Sequence, residues 1–574
     1  MKPPHPNPSV AMAEVVVDEL VRGGATRFTV SPGSRSAALA RAAQEHPGAE
    51  VAVLTDERSA AYFAMGAGRA SGVPAAVITT SGTAVANLFP GVVEADASGV
   101  PLILLTADRP PEMRETGANQ TIDQLKLFGE TVRWFWEAGP AEDRPDSNAY
   151  WRASTARAVA EARGWGGRPG PVHLNLSFRE PTAPVSDDGR SIAESFGSAT
   201  EGRPDGRPWI TALRAPEPDL SFLEEVQQAR RGVVVVGEGA EGSAIFARLA
   251  EQLGWPLVAE ALSGARRPPA ISSYHHLLAA LPAALKPDLA LCFGKTGLST
   301  SLAAVLSDPS VTQVVAGAPG RWADPDRAVT HMAAGPAPAV ARALLDRVGE
   351  GRRDPEWLAM WQEAESACRA VLDDTLDHDD LPSEPRTARD LAALSLDTLV
   401  VGSSLPIREV EMFAHTTPAR VLGNRGASGI DGLVSTALGA AWARPGRVAC
   451  LTGDLALLHD SNGFLVDERP SCVLVVVNND GGGIFNFLPH ARHPHFEKLF
   501  GTPHGRDFEA LASFHELGYR GVERASELAP AVEAGLAEGG VWLAEVRTHR
   551  EDTERLHRRI AEETARRLTS ILGN

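Results

Sequence analysis

The chain has 574 residues, 43% of them hydrophobic, with 54 glycines and a formal net charge of −18. That length is material for about three globular domains. The acidic balance repels phosphate backbones and anionic lipid, which argues against nucleic acid and membrane surfaces as partners, so an anionic substrate has to be met by locally placed Arg and Lys. The four cysteines, Cys292, Cys368, Cys450 and Cys472, have neither CxxC nor zinc-ligand spacing, which fits a reducing compartment. The start, MKPPHPNPSV, carries no apolar signal core, and no apolar run is long enough to cross a bilayer, so a cytoplasmic protein without membrane insertion is expected.

Short apolar runs alternate with longer Ala-rich amphipathic stretches, the pattern of βαβ units and parallel sheets. The first block has strand candidates RFTVSPG, EVAVLTDE, AAVITTSGT and LILLTADRP, each breaking into Gly, Ser, Thr or charge at its C-terminal end. Open α/β sheets hold their ligands at that end. A polar, Pro/Gly-rich stretch from Glu180 reads as a linker. The middle block runs through VVVVGEG, PLVAEAL, LALCFG and TQVVAG to about Val348. A charged passage and a helical stretch, WLAMWQEAESACRAVLDDTL, lead into the last block, with strands TLVVGSS, RVLGNRG, RVACLTGD, CVLVVVNND and VWLAEVR. The blocks resemble one another only as α/β units and show no sequence repeat.

Two fragments of the last block, LTGDLALLHDSNG (451–463) and VLVVVNNDGGGIF (473–485), run from β-favouring residues abruptly into polar ones. A carboxylate at one strand end, an amide at a neighbouring one and a glycine run that turns tightly can converge on one small hard cation. Mg²⁺ takes oxygen ligands in octahedral geometry and keeps positions for phosphate oxygens and water. Asp454 would give a carboxylate oxygen, Asn479 a side-chain oxygen and Gly481 a backbone carbonyl. Asp and Asn at strand ends are also ordinary turn residues; the pairing of GD with NN is what favours the cation.

With that pairing the chain resembles the thiamine-diphosphate enzymes, although Leu455 stands where their motif often has glycine. The resemblance narrows in SPGSRS (31–36), DERSAAYFAMG (56–66), TTSGTAVANLFP (79–90), LLTADRPPEMRETGANQTIDQ (104–124), NRGASGIDG (424–432), GDLALLHD and NNDGGGIF. These stretches are similar to the 2-succinyl-5-enolpyruvyl-6-hydroxy-3-cyclohexene-1-carboxylate synthase family of menaquinone biosynthesis. The resemblance implies three doubly wound parallel-sheet α/β domains: pyrimidine-binding (1–185), cofactor-free middle (186–352) and diphosphate-binding (353–574). It implies thiamine diphosphate with Mg²⁺ or Mn²⁺ as cofactors, 2-oxoglutarate and isochorismate as substrates, and a homodimer or dimer of dimers with shared active sites.

By the same resemblance Glu57 meets the pyrimidine N1′ and drives formation of the reactive cofactor, its pKa held up by desolvation. Ser428, Gly429 and Ile430 hold the bent cofactor, and Gly453, Asp454, Leu455, Asn479 and Gly481 anchor its diphosphate and cation, near the helix opening after Asp454. Arg35, Arg109, Arg408 and Arg425, with Ser34, Gln120 and Ser404 as neutral donors and Ile484 and Phe485 as apolar contacts, fall at substrate positions. Arginine suits bidentate pairing with carboxylates. Each of these residues also has a bland reading: Glu57 as a helix N-terminal acid, Ile430 as core, a loop Arg as a solvated ion pair. One departure stands out, since Thr300 and Ser301 occupy the place of the family's basic middle-domain residues, with Lys295 nearby but earlier.

Other motifs compete. Gly237, Gly239 and Gly242 form a literal GxGxxG after a strand, with Glu260 about where a ribose-binding acid would sit, which keeps a dinucleotide-binding oxidoreductase as an alternative. Another thiamine-diphosphate carboligase or decarboxylase acting on a different 2-oxo acid is the nearer alternative. FGKTG (293–297) lacks the first glycine of a P-loop, and His490, His493 and His495 have no carboxylate placed to orient them as metal ligands.

Overall fold

The computed structural model describes residues 7–572 apart from 143–146, 166, 181, 183–201, 212–217, 219, 241, 318–323 and 350–353. Most of the expected linker after Glu180 therefore lies outside the described residues.

Three sheets organise the chain, and every pairing between their strands is parallel. The first contains β1 (Arg27–Val30), β2 (Glu50–Val53), β3 (Ala75–Thr79), β4 (Leu102–Asp108), β5 (Phe135–Pro140) and β6 (Pro171–Ser177) in the order β2-β1-β3-β4-β6-β5. The second contains β7 (Gly232–Val236), β8 (Leu257–Ala259), β9 (Leu289–Phe293), β10 (Thr312–Ala316) and β11 (His331–Ala333) in the order β11-β10-β9-β7-β8. The third contains β12 (Thr398–Val401), β13 (Arg420–Leu422), β14 (Val448–Gly453), β15 (Cys472–Asn478), β16 (Gly518–Val522) and β17 (Val541–Arg547), ordered β13-β12-β14-β15-β17-β16. Numbered within each sheet, the first and third share one topology, 2-1-3-4-6-5. In both, the chain starts inside the sheet and steps to either side, leaving a crevice at the strand ends where the order reverses.

The continuous apolar runs follow from burial on both faces. Val233 and Val235 of β7 enter one core with Trp357 and Trp361, while Val234 and Val236 enter another with Phe246 and Leu249. Trp357, on the expected helix (Pro355–Leu376), also donates its indole N–H to the Gly232 carbonyl at 2.9 Å.

Four strands escape the hydrophobic pattern. β6 reads PVHLNLS yet is buried throughout, and neighbours supply partners for His173 Nε2 and for Asn175. Thr106 lies 2.7 Å from His173 Nε2, and Asn175 donates to Asp108 at 2.9 Å and Glu137 at 2.6 Å. Burial pushes the His173 imidazole down to about 3, so it is held neutral. β5 and β16 lie at sheet edges, where one side needs no apolar partner, and β11 is only three residues long.

The chain forms two compact units. One comprises residues 1–214, 424–445 and 457–471; the other comprises 215–423, 446–456 and 472–574. In the first, the helices Glu57–Ser71 and Leu433–Ala443 approach backbone to backbone. A Cβ at Gly66 would collide with Thr436, and one at Gly439 with the Phe63 carbonyl, so glycine is required at both. Buried Asp460 accepts from the Ser435 N–H at 2.8 Å and its hydroxyl at 3.2 Å, pinning the start of the second helix.

Candidate active site

The expected site residues fall into two groups, one in each unit. In the first unit, three loops leave the C-terminal ends of β1, β3 and β4 and bring Arg35, Ser81 and Arg109 together. Arg109 is buried, and one of its guanidinium nitrogens donates to the Ser81 hydroxyl. Burial first, and then the like charge of Arg35, lower its pKa, while Asp108 and Glu180 oppose that shift. Arg35, also buried, donates to the Phe178 carbonyl at 3.0 Å and pairs with Glu180 at 2.9 Å. Gln120 sits in a left-handed backbone conformation, φ 55°, held because its side chain donates to the Ser81 carbonyl at 2.9 Å and its own carbonyl accepts from the Ser81 hydroxyl at 3.0 Å. Two guanidinium groups close enough to repel, beside neutral donors, form a natural receptor for carboxylates. Ser34 is exposed on the same loop as Arg35. Ser81 was not among the expected residues, although its place at the end of AAVITTSG could have flagged it.

Glu57 opens its helix, but the capping falls to Asp56, whose carboxylate accepts from the N–H groups of Arg58 and Ser59 at 2.9 and 3.3 Å. The Glu57 carboxylate instead accepts from Asn87 at 3.2 Å and stays partly exposed. In the same unit Arg425, Ser428, Gly429 and Ile430 lie on one loop. Glu94 grips it by accepting from the N–H groups of Gly426 at 2.8 Å and Ala427 at 2.6 Å. Ser428 takes φ 64°, and Ile430 is 37% exposed. Tyr62 donates to Asp431 at 2.6 Å, closing the loop two residues before the helix.

In the second unit, Asp454 follows β14 and Asn479 follows the adjacent β15, with Gly453 opposite Val477 in the register. Leu455 follows Asp454 as the second residue of the helix Asp454–His459. Asp454 is 2% exposed, and burial pushes its carboxyl above the usual range against the donors around it. Those donors are the N–H groups of Leu455 at 2.6 Å and Gly481 at 2.9 Å, with His504 Nε2 at 3.1 Å. Gly481 has φ 138°, and a Cβ there would strike the Gly501 carbonyl, so no other residue fits. The Asn479 amide nitrogen donates to Glu384 at 2.9 Å, while its Oδ1 is buried without a hydrogen-bond partner. A buried carbonyl oxygen with nothing to accept from, on a strand end adjacent to the one that carries the buried Asp454 carboxylate, fits a hard cation. His504 and Glu384 belong to no motif and were missed, because neither lies near the GD or NN residues in sequence.

A cavity of about 720 Å³ in this unit is lined by Arg408, Leu405, Ile484, Phe487, Thr300 and His557, among others. Arg408 donates to the carbonyl of Ser404, which itself adopts φ 78°. Phe485 packs against Phe500 at 5.6 Å between ring centres. Lys295 does not line this cavity; its backbone pairs with Glu238 instead. Arg558, on the C-terminal helix Arg550–Leu572, joins Arg408 there.

Residues 10–127 match the family described as thiamine pyrophosphate enzyme, N-terminal TPP binding domain, and residues 408–546 the corresponding C-terminal TPP binding domain. Over 97% of its length the chain is 47% identical to a 2-succinyl-5-enolpyruvyl-6-hydroxy-3-cyclohexene-1-carboxylate synthase of Thermobifida fusca, 99% of which is covered. The chain belongs to this synthase family. Synthases from Saccharopolyspora erythraea and Salinibacter ruber are each 41% identical to it, over 96% and 97% of the chain and 98% and 96% of those proteins.

Membership in the synthase family leaves the GxGxxG residues to be explained: Gly239 and Gly242 take left-handed backbone conformations, φ 82° and 100°, and Gly237 serves packing. A Cβ at Gly237 would collide with the Lys295 carbonyl, so that glycine serves loop-to-loop contact. Glu260 turns inward and accepts from the N–H groups of Gly297 at 2.7 Å and Leu298 at 2.9 Å, where burial pushes its carboxyl up to about 8. It is thereby occupied with holding the loop before Thr300. His490 stacks on Phe500 at 4.8 Å, and His493 lies 5.7 Å from His495, so these rings make aromatic contacts on an exposed loop.

Proposed function

We propose that the protein decarboxylates 2-oxoglutarate and adds the succinyl unit to isochorismate, giving 2-succinyl-5-enolpyruvyl-6-hydroxy-3-cyclohexene-1-carboxylate and CO₂, in the cytoplasm and on the route to menaquinone. The observation that carries this reading is the buried, unpartnered Oδ1 of Asn479, at the end of the strand next to the one that ends at Asp454, in a chain of the synthase family. When bound, thiamine diphosphate supplies the nucleophilic carbon for the 2-oxo group and takes up the electrons that CO₂ leaves behind.

The protein supplies placement and charge. Asp454, Asn479 and Gly481 would hold Mg²⁺ or Mn²⁺, and the cation would supply positive charge for the cofactor's diphosphate. Gly453 and Leu455 border that site, and Ser428, Gly429 and Ile430 support the cofactor's bend. Glu57 exchanges a proton with the pyrimidine N1′. Arg35 and Arg109, with Ser34, Ser81 and Gln120, receive carboxylates; in the second unit Arg408 and Ser404 do so, with Ile484 and Phe485 as apolar contacts, and Arg425 is a further cation. A −18 chain that handles polycarboxylates needs these local cations. We assign three domains, 1–185, 186–352 and 353–574, and a homodimer or dimer of dimers in which each active site draws on two subunits.

The test supplies the protein with thiamine diphosphate, Mg²⁺ and 2-oxoglutarate and follows 2-oxoglutarate consumption with and without isochorismate. Isochorismate-dependent consumption with a succinylated product is the expected result. Bound cofactor without consumption of either substrate would discard the substrate pair.

A further inference from the structure

The cation site contains a residue that no motif marks. We propose that Glu384 is a positioning residue: it fixes which end of the Asn479 carboxamide faces the cation. The inference rests on the cation reading given above and names the group that makes the site selective for one orientation of its amide ligand.

Glu384 opens the helix Glu384–Ala393, but Ser383 caps that helix, so the carboxylate is not needed there. It is 4% exposed and collects three donors on one oxygen: Asn479 Nδ2 at 2.9 Å, Thr553 Oγ1 at 3.1 Å and Thr548 Oγ1 at 3.4 Å. A carboxamide has nearly the same shape with its oxygen and nitrogen exchanged, and only the oxygen binds a hard cation. The Glu384 oxygen that faces the amide also takes the two threonine hydroxyls, so toward Asn479 it is an acceptor. It therefore selects the Asn479 orientation with Nδ2 toward Glu384, and the same choice leaves Oδ1 aimed away, buried and unpartnered. The opposite orientation would set an amide oxygen against the carboxylate and an NH₂ against the cation, an unfavourable contact at both ends. Gly483 closes the remaining side, since a Cβ there would press on Asn479 Nδ2. The two threonines, both in the last hundred residues of the chain, hold the carboxylate in turn. Partners of this kind behind a ligand typically contribute tenfold to a hundredfold in metal affinity.

The test measures Mn²⁺ affinity by electron paramagnetic resonance in the presence of thiamine diphosphate, without turnover. Glu384→Gln, which can present either a donor or an acceptor, is expected to weaken Mn²⁺ binding at least tenfold. In an Asn479→Ala background the same change is expected to do nothing further, because the amide it orients is gone. Wild-type affinity in Glu384→Gln, or an equal loss in both backgrounds, would overturn the proposal. Should Glu384→Gln not fold, the decision passes to Thr553→Val, which keeps the side-chain shape and removes one hydroxyl from the Glu384 carboxylate. It is expected to weaken Mn²⁺ binding in the otherwise wild-type chain and to do nothing further in the Asn479→Ala background; no weakening, or an equal loss in both, would overturn the proposal. Absence of Mn²⁺ binding in the wild type is a different result and would remove the cation reading itself.

Discussion

Asp454→Asn separates the cation's contribution from that of the fold. The side chain is buried, and its oxygens accept from two backbone N–H groups and lie beside His504. Asparagine keeps the shape and one acceptor, so one N–H bond to a carboxylate is lost at a cost of about 1.5–3 kcal/mol. The variant also no longer buries a charge, which offsets that loss. The cation-free variant should therefore melt within a few degrees of the cation-free wild type. Saturation has the opposite outcome: ligand at a hundred times its dissociation constant stabilises by about 2.7 kcal/mol. At roughly 2–4 °C per kcal/mol for a domain of this size, the wild type should gain about 5–11 °C with Mg²⁺ and thiamine diphosphate. Asp454→Asn should gain almost nothing, by scanning calorimetry with and without the pair. A full shift in the variant would refute the assignment of Asp454 as a cation ligand.

Glu57→Gln should keep cofactor binding in titration calorimetry and lose at least a hundredfold in turnover, as expected for a group that moves a proton; near-normal turnover would assign that proton elsewhere. Arg109→Lys keeps the charge but loses the fork, and should raise KM for a carboxylate substrate about tenfold or more in steady-state kinetics, with the fold intact by circular dichroism. Asp460 is held up near 7 by burial, above its usual 3.8, so the folded state keeps a proton that the unfolded chain has released. Its contribution is fully present below pH 4 and is lost as pH rises through 7. Asp460→Asn, which can still accept from the Ser435 N–H, should flatten the stability profile between pH 4 and 7 and melt higher than the wild type at pH 8.

The alternation of strand and helix was legible because periodicity is a local property: VVVV at 233–236 reads as a buried strand whichever core each valine enters. The residues after each strand were legible for the same reason, since a parallel strand delivers its next few residues to one edge of the sheet. β6 was not legible. Its His173 and Asn175 look exposed in sequence, and only partners from β4 and β5 make their burial tolerable.

The site divides along the same line. Asp454, Asn479, Gly481, Glu57, Arg35 and Arg109 stand in short motifs, and sequence alone was enough to nominate them. Tertiary structure decided what surrounds them: Ser81 against Arg109, His504 beside Asp454, Glu94 under the Arg425 loop, Glu384 behind Asn479. Glu384 lies 95 positions from Asn479, a separation across which no local pattern carries information. Such pairs are set by which strand lies next to which, and that follows from the free energy of packing the whole sheet rather than from the residues at either end.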